Sequence, residues 1–163
     1  MKKTVIITGA SKGIGAATAI HFAQKGYNVA LHTNSKPDIA KDFATTLSET
    51  CGVKAMCVQA DISESGEVEA MFSKIENELG KIDILVNNAG IARAQLMTDV
   101  SENDFHELFD TNVGGVYFPS QAVIPEMISA GGGKIINISS MWGQVGASCE
   151  VHYSASKGAV IAF

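Results

Sequence analysis

The chain has 163 residues, of which 46% are hydrophobic and 18% charged, and its formal net charge at pH 7 is -5. This length suits one domain of roughly 150 residues, and so high an apolar fraction excludes an intrinsically disordered chain. The negative charge, without any basic block, excludes the electrostatic footprint of a nucleic-acid-binding protein.

The sequence does not predict membrane insertion, secretion or metal binding. The apolar run that starts at Thr4 stops at Gly9, which is too short for a signal peptide, and no run reaches the length of about 18 residues that a membrane span needs. Cys51, Cys57 and Cys149 are odd in number and lack a Cys-x-x-Cys spacing. They therefore indicate reduced thiols in a cytoplasmic protein, with no metal site.

Apolar runs rich in β-branched residues alternate with longer helical patterns. The runs predict strands at Thr4–Thr8, Asn28–Thr33, Lys54–Gln59, Ile82–Val86 and Lys134–Ile138. Helices are predicted at about Gly13–Lys25, Pro37–Thr50, Ser65–Leu79, Glu102–Ser129 and from Val151 onward. Gly26 and Gly52 suit the ends of the first two helices, whereas Pro119 and Pro125 are expected to kink or divide the fourth.

Strict alternation of strands and helices predicts parallel strands joined by right-handed crossovers. The fold class is therefore α/β, a doubly wound parallel sheet of the Rossmann-like type, within a single domain. If the two halves wind in opposite directions from the first strand, the strand order is 3-2-1-4-5. A ligand crevice then opens at the carboxyl ends of the first and fourth strands.

A glycine-rich segment, Thr-Gly-Ala-Ser-Lys-Gly-Ile-Gly, follows the first strand from Thr8 to Gly15. Its glycines permit a tight turn and close approach of the backbone to a pyrophosphate at the start of the next helix. The spacing differs from the Gly-x-Gly-x-x-Gly fingerprint and from the phosphate loop of nucleoside triphosphatases. A simple turn from strand to helix remains the alternative.

A second loop of small residues, Asn87-Asn88-Ala89-Gly90, follows the fourth strand. Alone it would be a polar turn in which glycine supplies a positive φ. At the end of a central strand, however, it suits an extended cofactor that lies across the point where the strand order reverses.

The residues after the second strand favour NADP(H) over NAD. An NAD-binding protein would place an acid about 20 residues beyond the glycine loop. Here Thr33 is followed by Asn-Ser-Lys, and the next acid is Asp38. Lys12 and Lys36, with hydroxyl and amide donors nearby, suit a 2′-phosphate, unless both lysines are merely solvated.

The final signal combines Ser140, at the end of the fifth strand, with Tyr153 and Lys157. Tyr and Lys four residues apart share one helical face. A free phenol titrates at about 10, so a neighbouring ammonium that stabilises the phenolate makes it a better acid or base near neutrality. Without the other signals, the Tyr-x-x-x-Lys pair would be interpreted as a surface pair.

In these motifs, in this order, the chain resembles the short-chain dehydrogenase/reductase family, most closely its 3-oxoacyl-(acyl-carrier-protein) reductase-like branch. The resemblance covers the whole chain. It implies that the first loop binds the cofactor through Gly9, Ser11, Lys12, Gly13, Ile14 and Gly15. It further implies cofactor contacts from Thr33, Asp61, Ile62, Asn88, Ala89, Gly90, Tyr153 and Lys157.

The same resemblance implies the catalytic roles. Tyr153 is expected to be the acid/base, Ser140 to orient the carbonyl, and Lys157 to stabilise the phenolate and hold the nicotinamide ribose. Asn112 is expected to hold a water in a proton relay, or to be only a polar residue at a helix irregularity. Ser139 is expected to support the backbone at the strand end.

Two features depart from the family pattern. The chain ends at Phe163, inside an apolar run without a helix-stop signal, whereas family members continue with further strands and a substrate lid. We therefore expect a piece of a longer protein, or a form that is weakly active. Trp142 beside the expected site would narrow an acyl channel or pack against a neighbour.

These features predict an NADPH-dependent carbonyl reductase that acts on a small carbonyl compound or a 3-oxoacyl thioester. The alternatives are an NAD-linked alcohol or sugar dehydrogenase of the same family and a nucleotide-binding module without catalysis. Family resemblance adds the expectation of a cytoplasmic homodimer or homotetramer, with no nucleic-acid or membrane partner.

Overall fold

A computed structural model describes residues 2–163 and contains one five-stranded sheet in the order β3-β2-β1-β4-β5, with all neighbouring strands parallel. The strands are β1 (Thr4–Ile7), β2 (Asn28–Thr33), β3 (Ala55–Gln59), β4 (Ile82–Asn87) and β5 (Lys134–Asn137). The predicted α/β fold class and strand order are confirmed.

Helices connect and cover the strands. They are α1 (Gly13–Gln24), α2 (Pro37–Cys51), α3 (Ser65–Leu79), α4 (Glu102–Phe109), α5 (Gly115–Ser129), α6 (Trp142–Val145) and α7 (Val151–Ala162). Within residues 2–163, no helix combines the length and the hydropathy needed to cross a membrane. The four-residue α6 and a 3₁₀ turn at Met97–Asp99 were not predicted.

Alternate residues of the central strands enter two separate hydrophobic clusters, because successive side chains in a strand point to opposite faces of the sheet. Val5 and Ile7 belong to the cluster that contains Ala19 of α1. Ile6 belongs to the cluster that contains Phe72 of α3 and Val123 of α5. Burial on both faces explains the continuous apolar runs of the strands.

Of the two outcomes predicted for Pro119 and Pro125, a kink or a division of the long fourth helix, the division is wrong. Both prolines lie inside α5, and the break falls at a π-helical segment, Asp110–Gly114, between α4 and α5. Val123 and Met127 of α5 pack in the core. The free energy gained from their burial exceeds the cost of the backbone hydrogen bond that each proline removes. The π-helical turn instead directs the buried Asn112 toward the loop after β4.

A pair of carboxyl groups joins α3 to α5. Glu76 forms a side-chain hydrogen bond to Glu126, and burial, this bond and charge repulsion from Glu126 raise the pKa of Glu76 to about 7. The folded chain therefore holds this proton more tightly than the unfolded chain. The stabilisation from this proton is present in mild acid and is lost as the pH rises through about 7.

We expect the melting temperature to fall between pH 5 and pH 8 by more in the natural chain than in Glu76→Gln, because glutamine cannot lose a proton. Thermal denaturation followed by circular dichroism at several pH values measures this. Glu78→Gln, at an exposed position on the same helix, is the matched control and should keep the natural pH dependence. An identical pH dependence in Glu76→Gln would contradict the raised pKa of Glu76.

Candidate active site

The loop between β1 and α1 packs closely against the loop after β4. Gly9 has φ +65°, and a Cβ at this position would lie 2.9 Å from the Cα of Ala89. A Cβ on Gly15 would lie 2.5 Å from the Gly9 carbonyl oxygen and 2.6 Å from Asn88 Nδ2. Gly13, also at positive φ, has open space beside it. Gly9 and Gly13 therefore supply a positive φ, and Gly9 and Gly15 allow the two loops to pack closely.

Thr8 and Asn88 join these two loops by hydrogen bonds. Asn88 Nδ2 donates to the carbonyl oxygens of Thr8 (2.9 Å) and Gly9 (3.2 Å). The Thr8 hydroxyl oxygen accepts from the backbone amides of Asn88 and Ala89, both at 3.0 Å. The carboxyl ends of β1 and β4 thus form one rigid floor.

A cavity of about 850 Å³ opens above this floor. Its lining includes eleven of the residues predicted to bind a cofactor, namely Gly9, Ser11, Lys12, Gly13, Ile14, Thr33, Asp61, Ile62, Asn88, Ala89 and Gly90. Gly15 lies behind the loop, and Tyr153 and Lys157 do not line the cavity itself. The predicted residues are therefore gathered at the carboxyl ends of the strands.

The cavity also has polar lining residues that were not singled out from the sequence. Asn34 donates to the carboxylate of Asp61 at 3.3 Å. Hydrogen bonds from Ser63 are the main cause that holds the pKa of Asp61 below its usual value, with Asn34 adding to the effect. His32 also lines the cavity, and a histidine directly after the apolar run 29–31 of a buried strand was the available sequence signal.

Asn112 connects the loop after β4 to α7. Its Oδ1 accepts from the Ile91 amide at 2.8 Å, and its Nδ2 donates to the Ile91 carbonyl (2.9 Å) and to the Ser156 hydroxyl (3.0 Å). Both amide hydrogens are therefore engaged within the protein. A water held by this side chain would have to use the second lone pair of Oδ1.

Lys157 is 5% exposed, and its ammonium donates to the Ile138 carbonyl at 2.9 Å. Burial lowers the pKa of Lys157. The Nζ atom lies 6.0 Å from the ring centroid of Tyr153, as the shared helical face predicts. A Cβ on Gly90 would lie 3.5 Å from Nζ, so the ammonium meets the cavity at its Gly90 end.

The two serines after β5 have different partners. The Ser139 hydroxyl donates to the Lys157 carbonyl at 2.8 Å, so it holds α7 rather than the strand end, contrary to prediction. The hydroxyl oxygen of Ser140 accepts from the Trp142 amide at 3.2 Å and begins the turn into α6. Within residues 2–163, no hydrogen bond joins Ser140 to Tyr153.

The structure describes no group of three or more His, Cys, Asp or Glu side chains between residues 2 and 163 that could hold a metal ion. The candidate site comprises a glycine-walled cavity with the buried Lys157 at its Gly90 end, and Tyr153 lies beside that lysine on α7. These groups can bind a phosphate-bearing molecule, stabilise negative charge and transfer a proton.

Comparisons with known proteins show which proteins the chain is similar to. A family model described as short chain dehydrogenase matches residues 3–163. A 3-oxoacyl-[acyl-carrier-protein] reductase of Staphylococcus aureus (strain Mu50 / ATCC 700699) is 37% identical over 161 residues, which cover 99% of this chain and 65% of the relative. An uncharacterized oxidoreductase of Bacillus subtilis (strain 168) is 39% identical over the full chain and 66% of its own length.

Among solved structures, an alcohol dehydrogenase of the archaeon Thermococcus sibiricus, complexed with 5-hydroxy-NADP, superimposes with a TM-score of 0.91. It is 30% identical, and the match covers 99% of this chain and 68% of that one. The chain thus spans about two-thirds of the length of the proteins that it matches.

Proposed function

The chain belongs to the short-chain dehydrogenase family, and from this membership we propose that it is an oxidoreductase that uses NADPH to reduce a carbonyl group. The observation that carries the proposal is the buried Lys157 ammonium, which lies at the Gly90 end of the glycine-walled cavity and 6.0 Å from the Tyr153 ring. A ketone placed there would meet both a proton donor and a charge that stabilises the resulting phenolate.

The residues present fit a dinucleotide. Gly9 and Gly15 leave no room for a Cβ beside Ala89 and Asn88, so the two loops pack closely. This packing allows a pyrophosphate to approach the start of α1. Lys12 and Thr33 line the same cavity and would hold a 2′-phosphate. Asp61 and Ile62 would border the adenine, while Asn88, Ala89 and Gly90 would support the nicotinamide half.

Each catalytic side chain then has a defined task. NADPH, when bound, supplies the hydride that adds to the carbonyl carbon. Ser140 and Tyr153 donate hydrogen bonds to the carbonyl oxygen as negative charge develops there, and Tyr153 delivers its proton to that oxygen. Lys157 stabilises the phenolate that remains and holds the nicotinamide ribose, while Asn112 fixes the adjoining loop and holds a water for proton return.

The proposed substrate class is a 3-oxoacyl thioester. Reductases of 3-oxoacyl-[acyl-carrier-protein] are among the relatives at 35–39% identity. Trp142 lies at the start of α6, two residues from Ser140, where its indole would limit the width of an acyl channel. A second candidate, an alcohol dehydrogenase, is supported by the structural match to the archaeal enzyme complexed with 5-hydroxy-NADP.

The decisive experiment measures cofactor binding and turnover in the whole protein. We expect NADPH to bind about tenfold more tightly than NADH in fluorescence titrations, because Lys12 attracts the 2′-phosphate. Lys12→Met should remove most of this preference and leave NADH affinity nearly unchanged. Tighter binding of NADH would contradict the NADPH proposal.

The substrate class is tested by following NADPH oxidation at 340 nm with acetoacetyl-CoA and with a panel of simple ketones. Faster oxidation with the thioester supports the proposed class. In a parallel assay with NAD and a panel of alcohols and sugars, NADH formation without any NADPH oxidation in the first assay would instead support a dehydrogenase. Cofactor binding with no turnover of any compound would favour a nucleotide-binding module and contradict the reductase.

We further propose a cytoplasmic homodimer or homotetramer. Tyr117, Ile124 and Ile128 expose apolar side chains on α5, and Phe163 lies against Tyr117 with ring centroids 6.0 Å apart. Such a surface is consistent with association of chains. The three free cysteines agree with a reducing compartment. Light scattering of the purified protein would give the assembly mass, and a monomer would contradict the association.

A further inference from the structure

His32 connects three segments at the adenine side of the cavity. It is the fifth residue of β2 and is 1% exposed. Its Nδ1 lies 3.2 Å from the backbone nitrogen of Gly9, and its Nε2 lies 2.9 Å from the carbonyl oxygen of Ala60, just past β3. Its own carbonyl oxygen accepts from the Ala10 amide at 2.9 Å. One residue thus holds both sides of the cavity floor.

These partners define the protonation state of the ring. The Gly9 amide is a donor, so Nδ1 must carry a lone pair, whereas the Ala60 carbonyl is an acceptor, so Nε2 must carry the hydrogen. Only the neutral Nε2–H tautomer satisfies both bonds. A second proton at Nδ1 would face the Gly9 N–H and would break that bond.

Gly9 cannot move alone to relieve such a conflict. Its α-carbon lies so close to the loop after β4 that a Cβ would be 2.9 Å from Ala89 Cα, and its carbonyl oxygen accepts from Asn88. Displacement of the Gly9 amide would therefore disturb the surface on which a pyrophosphate is proposed to lie.

We propose that His32 is a positioning residue for the cofactor, and that only its neutral ring holds the glycine loop in the binding conformation, so that cofactor affinity falls in acid. This inference rests on the proposed function of the cavity. A histidine that merely fills the core would not make the Gly9 position depend on pH.

The electrostatic surroundings agree with a neutral ring at pH 7. Burial lowers the pKa of His32, while the bond to Ala60 and the charge of Asp61 oppose that shift. Asp61 lies at the end of the neighbouring strand, and hydrogen bonds from Ser63 keep its own pKa low, so its charge is constant over the range of interest. Loss of NADH affinity in acid therefore reports on the imidazole, because NADH has no 2′-phosphate to titrate.

The first test needs no cofactor. In the ¹⁵N-labelled chain, the ring nitrogens of His32 should show the Nε2–H tautomer at pH 7.5, and the Gly9 amide resonance should shift with the same midpoint as the ring when the pH is lowered. An Nδ1–H tautomer, or a Gly9 resonance that does not follow the ring, would overturn the proposal. This result is independent of whether the chain reduces any substrate.

The second test uses two variants that each retain one of the bonds. The Oδ1 of asparagine occupies the place of Nδ1 and can accept from Gly9, so His32→Asn should bind NADPH at pH 7.5 within about threefold of the natural chain. Glutamine reproduces the Nε2 donor instead, so His32→Gln should bind about tenfold more weakly. His21→Asn, at an exposed site on α1, is the control.

The pH dependence separates a positioning role from a structural one. As the pH falls below the ring midpoint found in the first test, the affinity of the natural chain and of His21→Asn should fall by up to about tenfold per pH unit more than that of His32→Asn. Protonation of the NADPH 2′-phosphate affects all three chains equally, so it does not contribute to this difference. The same comparison with NADH, which has no 2′-phosphate, provides a check. Equal pH profiles in all chains, or tight binding by His32→Gln, would overturn the proposal, whereas no binding of either cofactor would overturn the proposed function.

Discussion

Tyr153→Phe in the whole protein should lower the rate of carbonyl reduction by about a thousandfold, because phenylalanine retains the ring and removes the proton donor. NADPH affinity should stay within about twofold, since the ring beside the Lys157 ammonium is unchanged. Steady-state assays at 340 nm and fluorescence titrations measure the two quantities on the same preparation.

Tyr117→Phe is the matched control for this substitution. Tyr117 lies exposed on α5, so loss of its hydroxyl should leave turnover unchanged. If Tyr153→Phe kept most of the natural activity, another group would have to supply the proton, and the assigned acid/base role would be wrong.

Gly15→Ala should abolish measurable NADPH binding and lower the free energy of unfolding by about 2 kcal/mol. The added Cβ would lie 2.5 Å from the Gly9 carbonyl oxygen, which is backbone and cannot rotate away. The start of α1 must therefore move from the β4 loop, and the cavity floor opens. Chemical denaturation and cofactor titration measure the two effects.

Gly66→Ala provides the control for the added methyl group. Gly66 also lies near the start of a helix, α3, but a Cβ there meets nothing within 4 Å. Alanine favours the helix by up to about 1 kcal/mol over glycine, so this variant should be as stable as the natural chain or more so. Unimpaired NADPH binding by Gly15→Ala would show that the close approach of the two loops is not needed.

The sheet could be predicted from the sequence because its signals are local. β1 and β2 are buried on both faces, so each is a short apolar run in the sequence, and β2 and α3 have the predicted bounds. The strand order followed from alternation and crossover handedness. The gathering of Lys12, Thr33, Asp61 and Asn88 around one cavity followed from that order.

The errors concern interactions between segments distant in sequence. Proline chemistry predicted a kink or a division of the fourth helix at Pro119 and Pro125, but the break falls at Asp110–Gly114, and both prolines lie inside α5, which packs in the core. The hydrogen bond from Ser139 to the Lys157 carbonyl spans 18 residues and has no local signal. The bonds of His32 to Gly9 and Ala60 likewise exist only after three strands are assembled.

The hydroxyl of Thr8 has a consequence for how the chain folds. Its oxygen accepts hydrogen bonds from backbone amides 80 and 81 residues further along the chain, so the cavity floor forms between segments that are distant in sequence. During synthesis, the chain would have to be extended beyond Ala89, and β4 would have to pair with β1, before a nucleotide could stabilise the cavity floor. Such a ligand would act on the nearly finished sheet, and it would slow unfolding more than it speeds folding.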